Sequence, residues 1–183
     1  MFTRRRMIWI LVPVALLVVV AAVAIGVGRS LPRDHVATVR IRLAATPAAV
    51  WAILDDPLAA AAWRSDVKSV EALPDADGRR SWREVTSSGT ITYVLDESTP
   101  LRSRTTRIAD ENLPFGGQWE FVLTPDGAGS LLTITERGFV EPALFRFMSR
   151  YVFSQTKTLQ DYLTALATRL NEKATPEVVA SGH

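Results

Sequence analysis

The stretch PALFRFMSRYVFSQTKTLQDYLTALATRLNEK, residues 142–173, decides how the rest of the chain is read. Leu144, Met148, Val152, Leu159, Leu163, Leu166 and Leu170 recur at steps of three, four or seven, the period of a helix with one buried stripe. The opposite stripe carries Arg146, Arg150, Lys157, Asp161, Thr164 and Thr168. The spacing predicts one continuous amphipathic helix, about 45 Å long at the helical rise. Such a helix needs a wide apolar surface to lie on. Its aromatic- and Met-rich first half (Phe145, Phe147, Met148, Tyr151, Phe153) suits a pocket wall, and its leucine-rich second half suits ordinary core.

Nearly everything between Val36 and Val140 reads as strand. Val36–Leu43 alternates apolar and polar residues, as a half-buried strand does. Thr46-Pro47 and Asp56-Pro57 each pair an N-cap residue with a proline at the first helical position. Two short helices are therefore expected directly after the first strand. Six further strands follow at 67–73, 81–86, 90–96, 101–109, 118–123 and 131–137. Asp77-Gly78 is a good hairpin dipeptide between the first two of them. Sequential hairpins make an antiparallel sheet. The expectation is an α+β fold with a curved sheet of seven strands wrapped around a long C-terminal helix. Residues 36–173 form this domain, and the tail 174–183 is expected to be disordered.

The N-terminus is different in kind. Residues 1–6 are a basic flank with Arg4, Arg5 and Arg6, and residues 7–27 are an uncharged apolar run. That run, about 31 Å as a helix, matches a hydrocarbon core of about 30 Å. It is longer than the apolar segment of a cleaved signal peptide, although Ala22-Val23-Ala24 offers a cleavage site and leaves that alternative open. The arginines favour a cytoplasmic N-terminus. The expected location is a bacterial cell membrane, single-pass, with the domain on the outer side behind a short linker at 28–35.

Composition removes several function classes. The chain of 183 residues has no cysteine and a net charge of +2, part of it in the N-terminal arginines. Thiol chemistry is excluded, and no basic field of the kind nucleic acid demands is present. The two histidines, His35 in the linker and His183 at the end, give no clustered metal ligands and no partner to activate a serine. No metal, cofactor or nucleic-acid partner is expected, and the oligomeric state is open.

The candidates for chemistry are carboxylates on strand faces. Period-two logic turns Glu84 and Glu136 toward the interior, whereas Glu120 faces away from Trp119 and Phe121. Arg102 and Arg104 share a strand face, and either would supply a partner for a buried carboxylate. Against this stand the plainer readings of a structural ion pair at the sheet rim or simply solvated charge. The candidate ligand-lining set is Trp51, Trp63, Trp82, Tyr93, Trp119 and Phe121, completed by Phe145, Met148 and Val152 from the helix. An ordinary aromatic core is the competing reading of the same residues.

The element order, the segment T-P-A-A-V-W at 46–51, the run W-R-S-D-V-K-S-V-E at 63–71 and L-T-I-T-E-R-G-F-V before the final helix together resemble the SRPBCC superfamily. This is the helix-grip fold of START lipid-transfer domains, the birch-pollen allergen family and polyketide cyclases. The likeness is strongest to the polyketide cyclase/dehydrase-like branch and covers about residues 36 to 171. It implies a cavity between sheet and helix and spans both carriers and enzymes. The leading expectation is a membrane-anchored binding module for a hydrophobic or amphipathic small molecule: a lipid, isoprenoid or polyketide-like compound. One alternative is a cyclase or dehydratase using Glu84 or Glu136 as acid/base with Arg104 polarising a carbonyl. The lack of an evident pocket histidine counts against it. The other alternative is a structural or partner-binding envelope protein with a closed cavity.

Overall fold

The computed structural model describes residues 3–151, 154 and 156–179, with side chains from residue 11 onward. The chain divides into two compact units, Met1–Arg33 with Val140–Ser154, and Asp34–Phe139 with Gln155–His183.

The first unit contains helix α1, Thr3–Ser30, and helix α3, Ala143–Tyr151. Leu11–Ser30 within α1 is long and apolar enough to cross a membrane. The helix runs past the expected end at residue 27, and the first strand begins at Asp34, so the linker shrinks to residues 31–33. Local chemistry accounts for the extension. Ser30 Oγ donates to the Val27 carbonyl at 2.7 Å, which satisfies one of the open carbonyls of the last turn. Arg29 complements the negative end of the helix dipole, and Pro32 prevents continuation.

The second unit is built on one eight-stranded sheet in the order β2-β3-β4-β5-β6-β7-β1-β8. The strands are β1 (Asp34–Leu43), β2 (Val67–Ala76), β3 (Arg79–Thr86), β4 (Thr90–Thr99), β5 (Ser103–Ile108), β6 (Phe115–Asp126), β7 (Gly129–Val140) and β8 (Glu177–Val179). Helix α2, Pro47–Leu54, and a 3-10 segment, Pro57–Ala62, follow β1 as expected. Thr46 accepts from the Ala49 N–H at 3.4 Å, and Asp56 accepts from the Ala59 N–H at 3.3 Å. Asp77 and Gly78 both take positive φ, the requirement of the tight β2–β3 turn.

Three expectations are corrected. The predicted single helix over 142–173 is two helices, α3 and α4 (Lys157–Arg169). In the sequence the apolar stripe keeps its period through residues 148–159. However, Ser154, Thr156 and Thr158 are weak helix formers, and α3 is held against α1 within the first unit. α4 also stops before Lys173. Asn171 adopts a left-handed conformation (φ 60°), the Glu172 N–H donates to the Ala167 carbonyl at 2.8 Å, and the Asn171 N–H donates to the Thr168 carbonyl at 3.0 Å. These two bonds make a Schellman stop. Finally, the sheet has eight strands rather than seven, because part of the tail expected to be disordered pairs with β1. Thr38, Val39 and Arg40 face Val179, Val178 and Glu177. The open edge of β1 is a template for pairing, and two valines with an Arg40–Glu177 contact at 3.0 Å suffice to use it.

The core lies between the sheet, α2 and α4. Val39, Ile41, Leu132 and Ile134 from the strands meet Val50 and Leu54 from α2 and Leu159, Leu163 and Leu166 from α4, and all are essentially inaccessible. Each such side chain contributes about 1.5–3 kcal/mol of burial free energy.

A buried charge and aromatic cluster between sheet and helix

Next to this apolar core, the inner face of β3 to β6 is lined by charge and aromatic rings. Alternation along the strands puts them there. Trp82 and Glu84 sit two apart on β3, Tyr93 lies opposite Trp82 on β4, Arg104 faces Phe121 across β5 and β6, and Trp119 follows two residues from Phe121. α4 contributes Tyr162. The 63–66 segment, between the 3-10 turn and β2, contributes Trp63, Arg64 and Asp66.

Glu84 is 4 % exposed and fully engaged. One carboxylate oxygen accepts from Arg64 Nη1 at 2.9 Å and the other from Trp82 Nε1 at 3.2 Å. Arg64 also donates to Asp66 at 2.8 and 3.4 Å and stands 5.4 Å from the Tyr162 ring centroid. Burial acts against its positive charge, but the hydrogen bond to Asp66 and the charges of Glu84 and Asp66 outweigh it, so its pKa is raised.

Arg104 has the opposite surroundings. It is also 4 % exposed. Its guanidinium carbon stands 5.7 Å from the Trp82 ring centroid and 5.6 Å from that of Phe121. No carboxylate among the described residues lies within ion-pair distance, and its buried Nε has no hydrogen-bond partner. Burial is the main reason its pKa is lowered. Ring faces give a cation partial compensation, yet a buried charge without an ionic partner is costly. Trp63 Nε1 is a second buried donor without a partner.

Tyr162 holds the aromatic wall together. Its ring meets Trp63, Trp119 and Phe121 edge-on at 5.3, 5.6 and 5.7 Å between centroids. Tyr93 stacks on Trp82 at 5.7 Å. Burial raises the pKa of both phenols. For Tyr93 the Glu84 charge adds to this, with a smaller contribution from Glu136.

The expected site residues thus separate. Glu84, Arg104, Trp63, Trp82, Tyr93, Trp119 and Phe121 come together. Trp51 is 7 % exposed and belongs to the apolar core beside them. Phe145 is 58 % exposed on α3 in the first unit, where Met148 is half-buried; Val152 lies outside the described residues. Glu136 does turn inward, but toward His35, with Oε1 and Nε2 3.2 Å apart. His35 is not a linker residue: it is on β1, opposite Gly138. The partner of Glu84 is Arg64 and not Arg102 or Arg104; Arg102 is exposed in the turn before β5. Arg64 and Tyr162 were missed. Arg64 lies in an irregular segment where periodicity says nothing, although it is part of the W-R-S-D run. Tyr162 flanks the leucine stripe of α4 at three residues from Leu159 and four from Leu166.

Among the described residues no group of three or more potential ligands could hold a metal ion. The arrangement is suited to a ligand with an aromatic or aliphatic body and one strong acceptor or anionic group.

A family profile described as polyketide cyclase / dehydrase and lipid transport matches residues 34–171. No curated protein shows significant sequence similarity to the chain. Among solved structures, the Zhui aromatase/cyclase from Streptomyces sp. R1128 superposes with a TM-score of 0.62 at 18% identity, covering 75% of this chain and 94% of that one. A START superfamily protein from Mycobacterium smegmatis gives 0.58 at 19% identity, covering 76% and 98%. A protein from Thermus thermophilus gives 0.62 at 15% identity, covering 75% and 97%. At such identities the likeness is one of fold.

Proposed function

This chain is a member of the polyketide cyclase / dehydrase and lipid transport family, and we propose that it binds a hydrophobic or amphipathic small molecule whose acceptor oxygen or carboxylate meets Arg104. A lipid, isoprenoid or polyketide-like compound has the required body. The observation that carries this reading is the buried Arg104 guanidinium, with ring faces beside it and an unpartnered Nε. A ligand anion or carbonyl is what such a group lacks.

In this reading α1 is a retained single-pass anchor, with the N-terminus cytoplasmic and the domain on the outer side. Its support is the membrane-length apolar part of α1, Leu11–Ser30, and the three arginines in the first turn of the same helix. A tether makes sense for a ligand that partitions into the bilayer, because it keeps the domain near that reservoir.

The test is thermal stability of the detergent-solubilised full chain titrated with oleate and, separately, oleyl alcohol. Oleate should raise the melting temperature in a saturable way, and Arg104→Met should remove that response. Equal shifts for wild type and variant would rule out the role given to Arg104.

One observation favours a catalytic second reading. The half-buried His35–Glu136 pair has the geometry of a base held by its orienting carboxylate. Glu84 is the weaker candidate, since both its oxygens are committed. If there is turnover of a polyketide-like substrate, Glu136→Gln should lower kcat more than Glu84→Gln.

A further inference from the structure

We propose that α3 is an interfacial helix that lies in the headgroup layer of an anionic bilayer, beside the end of α1. The proposal rests on reading α1 as a membrane span and adds to it a second, separate membrane contact.

α3 contains no fully buried residue. Leu144, Met148 and Tyr151 stand one above another at steps of four and three, flanked by Phe147, whose ring lies 5.1 Å from that of Tyr151. Leu144, Phe145 and Tyr151 are 40 %, 58 % and 61 % exposed. Arg146 and Arg150 occupy the other side. Such a strongly amphipathic helix with an open apolar face is the pattern of a helix lying in a membrane interface.

Its position within the first unit selects the bilayer as occupant. A Cβ at Gly28 would collide with the Ala143 carbonyl oxygen, so the start of α3 touches the last turns of α1 directly. Arg146 donates to the Leu31 carbonyl at 3.0 Å, and Arg33 pairs with Glu141. The start of α3 is thereby fixed at the level where the apolar span ends, which is where headgroups begin. From residue 28 onward this unit carries Arg29, Arg33, Arg146 and Arg150 against Glu141 alone, a balance of four minus one, or +3. That excess matches anionic headgroups and disfavours a second copy of the same surface.

The cysteine-free chain permits clean single-site labelling. A fluorophore would be placed through Phe145→Cys, through Leu144→Cys as a second position, through Val18→Cys in the middle of α1, and through Ser87→Cys in the exposed β3–β4 turn. Each full-length variant would be reconstituted in phosphatidylcholine vesicles with and without phosphatidylglycerol, containing lipids nitroxide-labelled at a shallow or a deep acyl position. The expected result is deep quenching at residue 18, none at 87, and shallow quenching at 145 and 144, several-fold stronger with phosphatidylglycerol present. Deep quenching at 18 with none at 145 and 144 would overturn the interfacial role of α3 while leaving the anchor intact. No quenching at 18, with the protein extracted by alkaline carbonate, would remove the anchor itself. Disulfide formation between unlabelled Phe145→Cys copies, in place of lipid quenching, would assign the face to a second copy and overturn the proposal.

Discussion

Glu84 and Arg104 are buried to the same extent on one sheet face, yet they do not pair. Glu84 gives both oxygens to Arg64 and Trp82, which leaves Arg104 beside two ring faces with no carboxylate partner among the described residues. The second unit therefore holds two buried guanidinium groups but only one comparably buried carboxylate among these partners, since Asp66 is half in solvent. Most of the site's expected behaviour follows from this imbalance.

Replacing Arg104 with Met should stabilise the ligand-free protein while abolishing binding of acidic ligands. Removing an uncompensated buried cation relieves its desolvation, an effect of about 1–3 kcal/mol. Thermal melts of Arg104→Met and wild type, with and without oleate, give both quantities. A variant less stable than wild type would mean that the cation–ring contacts outweigh desolvation.

Arg64→Met should act in the opposite direction. It leaves the Glu84 carboxylate buried with only the Trp82 indole as partner, a loss of about 3–5 kcal/mol. Glu84→Gln should cost less, because it removes the buried charge and Arg64 keeps Asp66. Denaturant midpoints of the two variants should therefore rank Arg64→Met as the less stable.

Alkaline pH should destabilise the domain through its buried phenols. Burial raises the pKa of Tyr93 and Tyr162 in the folded state, so the folded protein holds these protons more tightly than the unfolded chain. Their contribution is complete below the ordinary tyrosine value of about 10 and is lost as pH rises above it. Melting temperatures measured from pH 8 upward should fall beyond that point. The fall should be shallower in the Tyr93→Phe, Tyr162→Phe double variant.

Glu172→Ala should weaken the junction between β1 and α2. The Schellman stop of α4 delivers Glu172 to this junction, where its two oxygens accept from the Ala44 and Ala45 N–H groups at 2.8 Å each. Hydrogen bonds to a charged acceptor suggest a loss of about 1–2 kcal/mol. Glu172→Gln, which keeps one acceptor oxygen, should lose less; equal losses would point to packing as the cause.

Much of this was legible in the residues. Thr46-Pro47, Asp56-Pro57 and Asp77-Gly78 encode their caps and turn locally, so their elements appear where expected. The strict period of a strand turned Glu84 and Glu136 inward without any knowledge of neighbours, but it also put Arg102 on the face of Arg104, whereas Arg102 lies exposed in the turn before β5. What stayed hidden depends on contacts distant in sequence. The break between α3 and α4 cannot be read from a leucine stripe that keeps its phase; it needs α1 as a competing partner. β8 is three residues whose only reason to be extended is the edge of β1. The pairing of Glu84 with Arg64 instead of Arg104 depends on where an irregular segment crosses the sheet, and periodicity does not describe that.

The orphaned Arg104 has a last consequence, which concerns discrimination. A site that merely attracted oily molecules would rank them by size. In the binding reading proposed above, a pure hydrocarbon packed against Arg104 would bury the guanidinium further while giving its unpartnered Nε no acceptor, and that penalty grows as the fit tightens. An alcohol would relieve part of it and a carboxylate or enolate most of it. Selectivity in such a site works by rejection: the better a neutral impostor fits, the worse it binds relative to a ligand that brings the missing charge.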